Sequence, residues 1–229
     1  VCIVGPGLQV LDYFQGGGKT TEAMLTRLAE RELQRRQTLT AKAISDALVK
    51  KNAQNIKARA VRGYAALKDK NYAEAEKIFK EMSTLGASGD VLAKEGLAAV
   101  YAQKGEAAKA LEMAKEVERK APRRGYVNVM KGNVLYAQGH KKEAEAEYRI
   151  ATQKAEAEVY QEAVRYNQLG RYYAQSGQYK KARELYDQAL QIDPYYIEGT
   201  TNKGVTFEKE GQWDKALESY QRALAQDKG

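Results

Sequence analysis

Along most of the chain, apolar and small residues recur at helical spacing, broken at regular intervals by a glycine and a short polar stretch. Gly132, Gly139 and Ala144 form one such set, with six residues between the glycines and four before the alanine. The set returns at Gly170, Gly177 and Ala182, and again at Gly204, Gly211 and Ala216. A variant reads Ala98, Gly105 and Ala110, and a more worn one Gly63, Lys70 and Ala75. The interval from Ala110 to Ala144 equals that from Ala182 to Ala216. Each set predicts two helices joined by a tight turn. Gly105, Gly139, Gly177 and Gly211 end the first helix, where a left-handed residue is needed. Pro122 and Pro194 stop the second. The small residues let two helices approach closely, and Phe79, Tyr148, Tyr186 and Tyr220 fill the gap beside them. A helix pair of this kind cannot bury its apolar face alone, so stacked pairs must share a continuous core.

The repeats so defined are 56–89, 91–124, 125–158, 163–196 and 197–229. Two spacings break the rhythm. Gly89 or Asp90 is one extra residue, and Val159 to Glu162 are four, about one helical turn. The Ala/Glu-rich run from Glu143 to Glu162 is expected to form one lengthened helix. Upstream, residues 21–55 have the length of a repeat. Leu25, Leu28 and Ala29 fit one apolar stripe, and Ala43, Ile44, Ala47 and Leu48 another, with Gln37 and Thr38 between them. The glycine markers are missing, so this segment reads as a degenerate repeat or a capping helix pair.

Repeat 163–196 carries Tyr166, Leu169, Gly170, Tyr173, Ala182, Tyr186, Ala189 and Pro194. These are the eight marker positions of the tetratricopeptide repeat, and the chain resembles that family over about three quarters of its length. Leu97, Tyr101, Ala110 and Pro122 match in the second repeat, and Gly204, Phe207, Ala216, Tyr220 and Ala223 in the last. The resemblance implies an all-α, right-handed solenoid of five repeats behind the degenerate pair. It also implies a non-enzymatic scaffold whose concave groove binds a peptide, a helix or a neighbouring subunit. By register the groove would be lined by Tyr64 and Glu95, then Tyr126, Val129, Asn133 and Tyr136, then Asn167, Arg171 and Gln175, then Thr201 and Glu208. Asn and Arg there suit hydrogen bonding to a partner's backbone. One subfamily clamps chaperone C-termini with two lysines, two asparagines and an arginine. Here Val129, Gln168, Glu198 and Asn202 stand at four of those places and only Asn133 fits, so that partner is not expected.

Composition narrows the chemistry. One cysteine and one histidine exclude a disulfide scaffold and a His- or Cys-rich metal site. No Ser/His/Asp or paired-carboxylate constellation stands out, and His140 falls in a turn. No enzyme activity and no cofactor are expected. The net charge is +8, all of it within residues 1–124. Basic residues alternate with glutamates and most of the 16 tyrosines have packing positions, so a nucleic-acid surface is not expected. Tyr72, Tyr179 and Trp213 share one packing site at the start of a second helix. Gly16-Gly17-Gly18-Lys19-Thr20 invites a phosphate-loop reading, but Tyr13 stands where the first glycine belongs. A nucleotide-binding regulator or enzyme using Gly16–Thr20 is the alternative function.

Residues 1–20 are apolar and then glycine-rich, unlike the rest. They fit the tail of a membrane anchor or signal, an extension that docks on another subunit, or a flexible leader. With that segment goes an expectation of bacterial envelope or surface assembly, with membrane contact only through such an anchor. At the other end, Leu217, Tyr220 and Leu224 recur at helical spacing. Residues 1–15 of another copy could cover them, and such a head-to-tail contact would propagate into a ring or filament.

Overall fold

The computed structural model describes residues 2–4, 10–13, 21–154 and 159–227, the first two stretches by their backbone. Two compact units divide the chain, Val1–Gly96 and Leu97–Gly229. The first opens with an antiparallel pair, β1 (Cys2–Val4) and β2 (Val10–Tyr13), in which Cys2 faces Tyr13 and Val4 faces Val10. These strands are the one departure from the all-α expectation among the described residues. Helices α1 (Thr21–Gln34), α2 (Thr38–Lys51), α3 (Ile56–Lys68) and α4 (Tyr72–Met82) follow, then the start of α5 (Gly86–Gln103). The second unit holds the rest of α5, α6 (Ala107–Lys120), α7 (Tyr126–Ala137) and α8 (Lys141–Gln153). It continues with α9 (Val159–Gln175), α10 (Tyr179–Ile192), α11 (Ile197–Lys209) and α12 (Trp213–Asp227). The fold is an all-α helical repeat.

One turn is used six times. Its left-handed residue is Arg36, Lys70, Gly105, Gly139, Gly177 or Gly211. The steps between them are equal except for two: Lys70 to Gly105 is longer by one, and Gly139 to Gly177 by four. In each turn the next residue's N–H donates to a carbonyl five back: Gln37 to Glu32, Asn71 to Ala66, Glu106 to Tyr101, His140 to Leu135, Gln178 to Tyr173 and Gln212 to Phe207, all at 2.8–2.9 Å. This closes the first helix by satisfying carbonyls that have no partner within it. At the fifth place past each left-handed position lies a buried alanine: Ala41, Ala75, Ala110, Ala144, Ala182 and Ala216.

The segment 21–55 therefore carries the full signature with its glycines replaced. Ala29 holds the small first-helix place and Ala41 the second-helix place, both wholly buried, while Arg36 takes the turn at φ 62°. Non-glycine residues in that conformation lie under steric strain. Lys70 is the other, at φ 60°. Lys70→Gly is expected to raise stability by about 0.5–1 kcal/mol, read as a higher midpoint in urea with an unchanged slope.

The first break in rhythm falls elsewhere than expected, and the second lies at Val159–Glu162 as expected but lengthens a different helix. Gly89 and Asp90 do not link two repeats; they lie inside α5, which starts at Gly86. The lengthened helix Glu143–Glu162 does not form. α8 ends at Gln153 and Lys154 is extended, at φ −85° and ψ 143°. The added turn belongs to α9, which starts at Val159 and runs 17 residues.

Arg165 explains how α8 can stop there. The C-cap residues of α2, α6 and α10 donate a backbone N–H to the carbonyl four back, Asn52 to Leu48, Ala121 to Val117 and Asp193 to Ala189. At α8 the Arg165 guanidinium reaches back from α9. Its Nη1 donates to Ala151 O at 2.5 Å and to Lys154 O, and its Nη2 stands 3.7 Å from Glu162. Gly125 gives it room, since a Cβ there would lie 2.7 Å from Nη1. A cation at a helix C-terminus also faces the negative end of the helix dipole.

Candidate protein-interaction face

In the second unit the first helices α7, α9 and α11 are neighbours. Tyr136 of α7 meets Tyr172 of α9 edge to face, with centroids 6.3 Å apart. Asn202 Nδ2 of α11 donates to Asn167 Oδ1 of α9 at 2.9 Å. Second-helix tyrosines reach between them over glycines. A Cβ at Gly132 would lie 2.5 Å from the Tyr148 ring, one at Gly170 2.6 Å from Tyr186, and one at Gly204 2.7 Å from Tyr220.

At one fixed place before each turn glycine stand Asn133, Arg171 and Val205, all exposed and in one register across the three helices. Asn133 Oδ1 accepts from the Tyr148 hydroxyl at 2.9 Å, and its NH2 group has no acceptor among the described residues. Arg171 Nη1 donates to Gln168 Oε1 at 3.2 Å. No described carboxylate lies within ion-pair distance of that guanidinium. Burial pushes the Tyr148 and Tyr186 hydroxyls well above the usual tyrosine range, and the Arg171 charge partly opposes the shift. Both stay protonated at neutral pH. Tyr220 donates to Glu208 Oε2 at 2.6 Å, and burial together with that carboxylate raises it to about 12.

The other groove candidates are placed differently. Gln175 is exposed near the end of α9. Tyr136 is half-buried, with Lys141 Nζ 6.0 Å from its ring centre. Thr201 bonds back to Ile197 O at 2.9 Å on its own helix. Tyr126 packs on the core around Val129, Ala163, Val164 and Tyr196. Tyr64 belongs to the first unit and stacks edge-on against Phe79 at 5.1 Å. Glu95, also in the first unit, is wholly buried.

Asn167 is a correction. It is 2% exposed, and its Nδ2 donates to the Tyr196 hydroxyl at 3.2 Å while its Oδ1 takes Asn202. Its amide is spent between two repeats, because the register row to which it belongs turns inward, as buried Val129 on α7 also shows. Val205 and the tyrosine hydroxyls are the groups that sequence reasoning misses. A signal exists for the tyrosines: each follows its glycine at the same interval, at 132/148, 170/186 and 204/220.

α12 carries a second feature. Trp213, Leu217 and Leu224 are 66%, 57% and 53% exposed, and Tyr220 is half-buried. Their counterparts one repeat earlier are Tyr179, Arg183, Leu190 and Tyr186 on α10. There Tyr186 and Leu190 are buried, and Arg183 bonds Glu210 of α11 at 2.6 Å. Trp213 thus shares the register of Tyr179 and Tyr72 but not their partial burial. Gly16–Thr20 and the side chains of residues 1–15 lie outside the described residues.

No helix among the described residues is long and apolar enough to cross a membrane, and no described group of three His, Cys, Asp or Glu could hold a metal. The face offers hydrogen-bond donors, the Arg171 cation and the apolar Val205, a chemistry of recognition.

Tetratricopeptide-repeat models match residues 163–196 and 201–229, and a PPR-repeat model matches 65–86. No curated protein matches. Among solved structures, the APC/C hetero-tetramer Cut9–Hcn1 is similar over 91% of this chain and 39% of that one, with TM-score 0.75 and 14% identity. TTC0263, a thermophilic TPR protein of Thermus thermophilus, is similar over 82% and 99%, with TM-score 0.63 and 21% identity. MamA is similar over 73% and 95%, with TM-score 0.50 and 22% identity. At these identities the likeness is one of fold. Fold and face together define a helical-repeat scaffold for protein–protein interaction. Residues 163–196 and 201–229 are tetratricopeptide repeats.

Proposed function

We propose that the protein is a non-enzymatic scaffold that holds a peptide, helix or neighbouring subunit on the α7–α9–α11 face, and that copies also associate head to tail through α12. The row Asn133, Arg171 and Val205 carries the first part. These side chains are exposed, whereas Asn167 and Asn202 are already bonded between repeats. The second part rests on the apolar stripe of α12, which keeps the register of a covered helix and exchanges Arg183 for Leu217. Work in bacterial envelope or surface assembly is part of the same reading, motivated by the apolar residues 1–15.

Two variants test it. Leu217→Glu with Leu224→Glu should sediment as a monomer at concentrations where the wild-type mass rises. A wild-type mass independent of concentration would remove the head-to-tail contact. Asn133→Ala with Gln175→Ala should lose a partner that Lys180→Ala, altered on the exposed side of α10, retains. Equal retention by both would place binding elsewhere.

A further inference from the structure

We infer that the α7–α9–α11 face selects an extended segment carrying an internal Asp or Glu, whose carboxylate sits on Arg171 with an apolar side chain about three residues away on Val205. The inference deepens the groove reading and rests on it.

The cation comes first. Among the other cations of the first helices in this unit, Lys131 pairs with Glu118 and Glu147, Arg165 caps the end of α8 and Lys203 pairs with Asp187, while Lys209 stands exposed at the end of α11. Arg171 is exposed and holds only the neutral Gln168 amide. Its planar fork keeps donors free for a two-oxygen acceptor. The groups around it are donors too. The Asn133 NH2 lies one helix away, its amide oxygen already taken by the Tyr148 hydroxyl, and the protonated Tyr186 hydroxyl lies beneath. Donors with no carboxylate within ion-pair distance are complementary to an anion; the Glu208 carboxylate of α11 is held by the Tyr220 hydroxyl.

The spacing follows from the register. Asn133, Arg171 and Val205 occupy the same place on three adjacent helices. Packed helix axes lie about 8–10 Å apart, and an extended chain rises about 3.3 Å per residue. A strand crossing the row therefore advances about three residues per helix. Its acidic residue meets Arg171, the third residue to one side meets Val205, and the third to the other lies within reach of the Asn133 NH2. A helical partner rises about 1.5 Å per residue and would need the two anchors six or seven positions apart.

An array of nine-residue, end-blocked peptides tests this. In one series a fixed Glu has Leu three positions after it, in another three positions before, with the other positions random. Control series exchange Glu for Gln or Lys, set Leu seven positions away, or replace the Glu by a free C-terminus. The wild-type protein should favour one Glu/Leu series, and Arg171→Glu should bind it at least about tenfold more weakly and favour the Lys series instead. Arg171 is exposed, so both proteins should melt alike. Preference for the free C-terminus or for the seven-residue spacing overturns the inference, as does indifference to charge or to Arg171→Glu. These outcomes leave the groove reading standing. Capture of no peptide in any series contradicts the groove reading itself.

Discussion

Arg165→Met should destabilise the protein by about 3 kcal/mol, the range for losing a buried charged group with its hydrogen bonds. Methionine keeps much of the volume, so the loss isolates the guanidinium. Arg165 is 1% exposed and donates to Ala151 O and Lys154 O, the carbonyls that end α8. Without it Ala151 O is left in a buried site and Lys154 O in a part-buried one. Chemical denaturation measures the effect, with Arg149→Met as a comparison. Arg149 pairs with Glu145 on the exposed side of α8 at 2.9 Å, where such a pair contributes about 0–1 kcal/mol. Arg165→Met losses no larger than those of Arg149→Met would mean that α8 closes without this cap.

A second large effect is expected from one methyl group. Phe79 lies between Gly63 of α3 and Gly96 of α5, and its ring is wholly buried. A Cβ at Gly63 would stand 2.6 Å from the ring, and one at Gly96 would overlap it as well. The ring cannot retreat from one glycine without meeting the other. Gly96→Ala should cost about 2–3 kcal/mol, the upper range of overpacking. Phe79→Leu in the same chain should recover part of it, although Phe79→Leu alone destabilises. Thermal melts of the four proteins give the coupling. Additive losses would show that ring and methyl do not collide.

The same residues show what the sequence can reveal. Glycines at 132, 139, 170, 177, 204 and 211 announce the turns and close approaches because no other residue does both without strain. Arg36 hides one such turn, since strain borne by an ordinary side chain leaves no compositional mark, and the turn at Lys70 is legible only from Gly63 and Ala75 on either side of it. Gly96 carries no local signal because its partner Phe79 lies in the preceding repeat. The break after α8 is illegible for a related reason. Ala and Glu favour helix, and what ends this one is the Arg165 guanidinium reaching back to Lys154, a tertiary contact that local propensity does not contain. On the face, register places Asn133, Arg171 and Gln175 on open helix surface but does not show that the row of Asn167 turns inward. That depends on how α9 is rolled against Tyr196 and Asn202.

A photo-crosslinking amino acid placed in turn at Gln175, Val205 and Lys180 tests most directly whether α7, α9 and α11 form the binding face. All three positions are exposed; two lie on first helices and one on a second helix. Illumination in cells of the native organism should join the Gln175 and Val205 proteins to the same partner band and leave the Lys180 protein free of it. A partner band at Lys180 with none at Gln175 or Val205 would contradict the account.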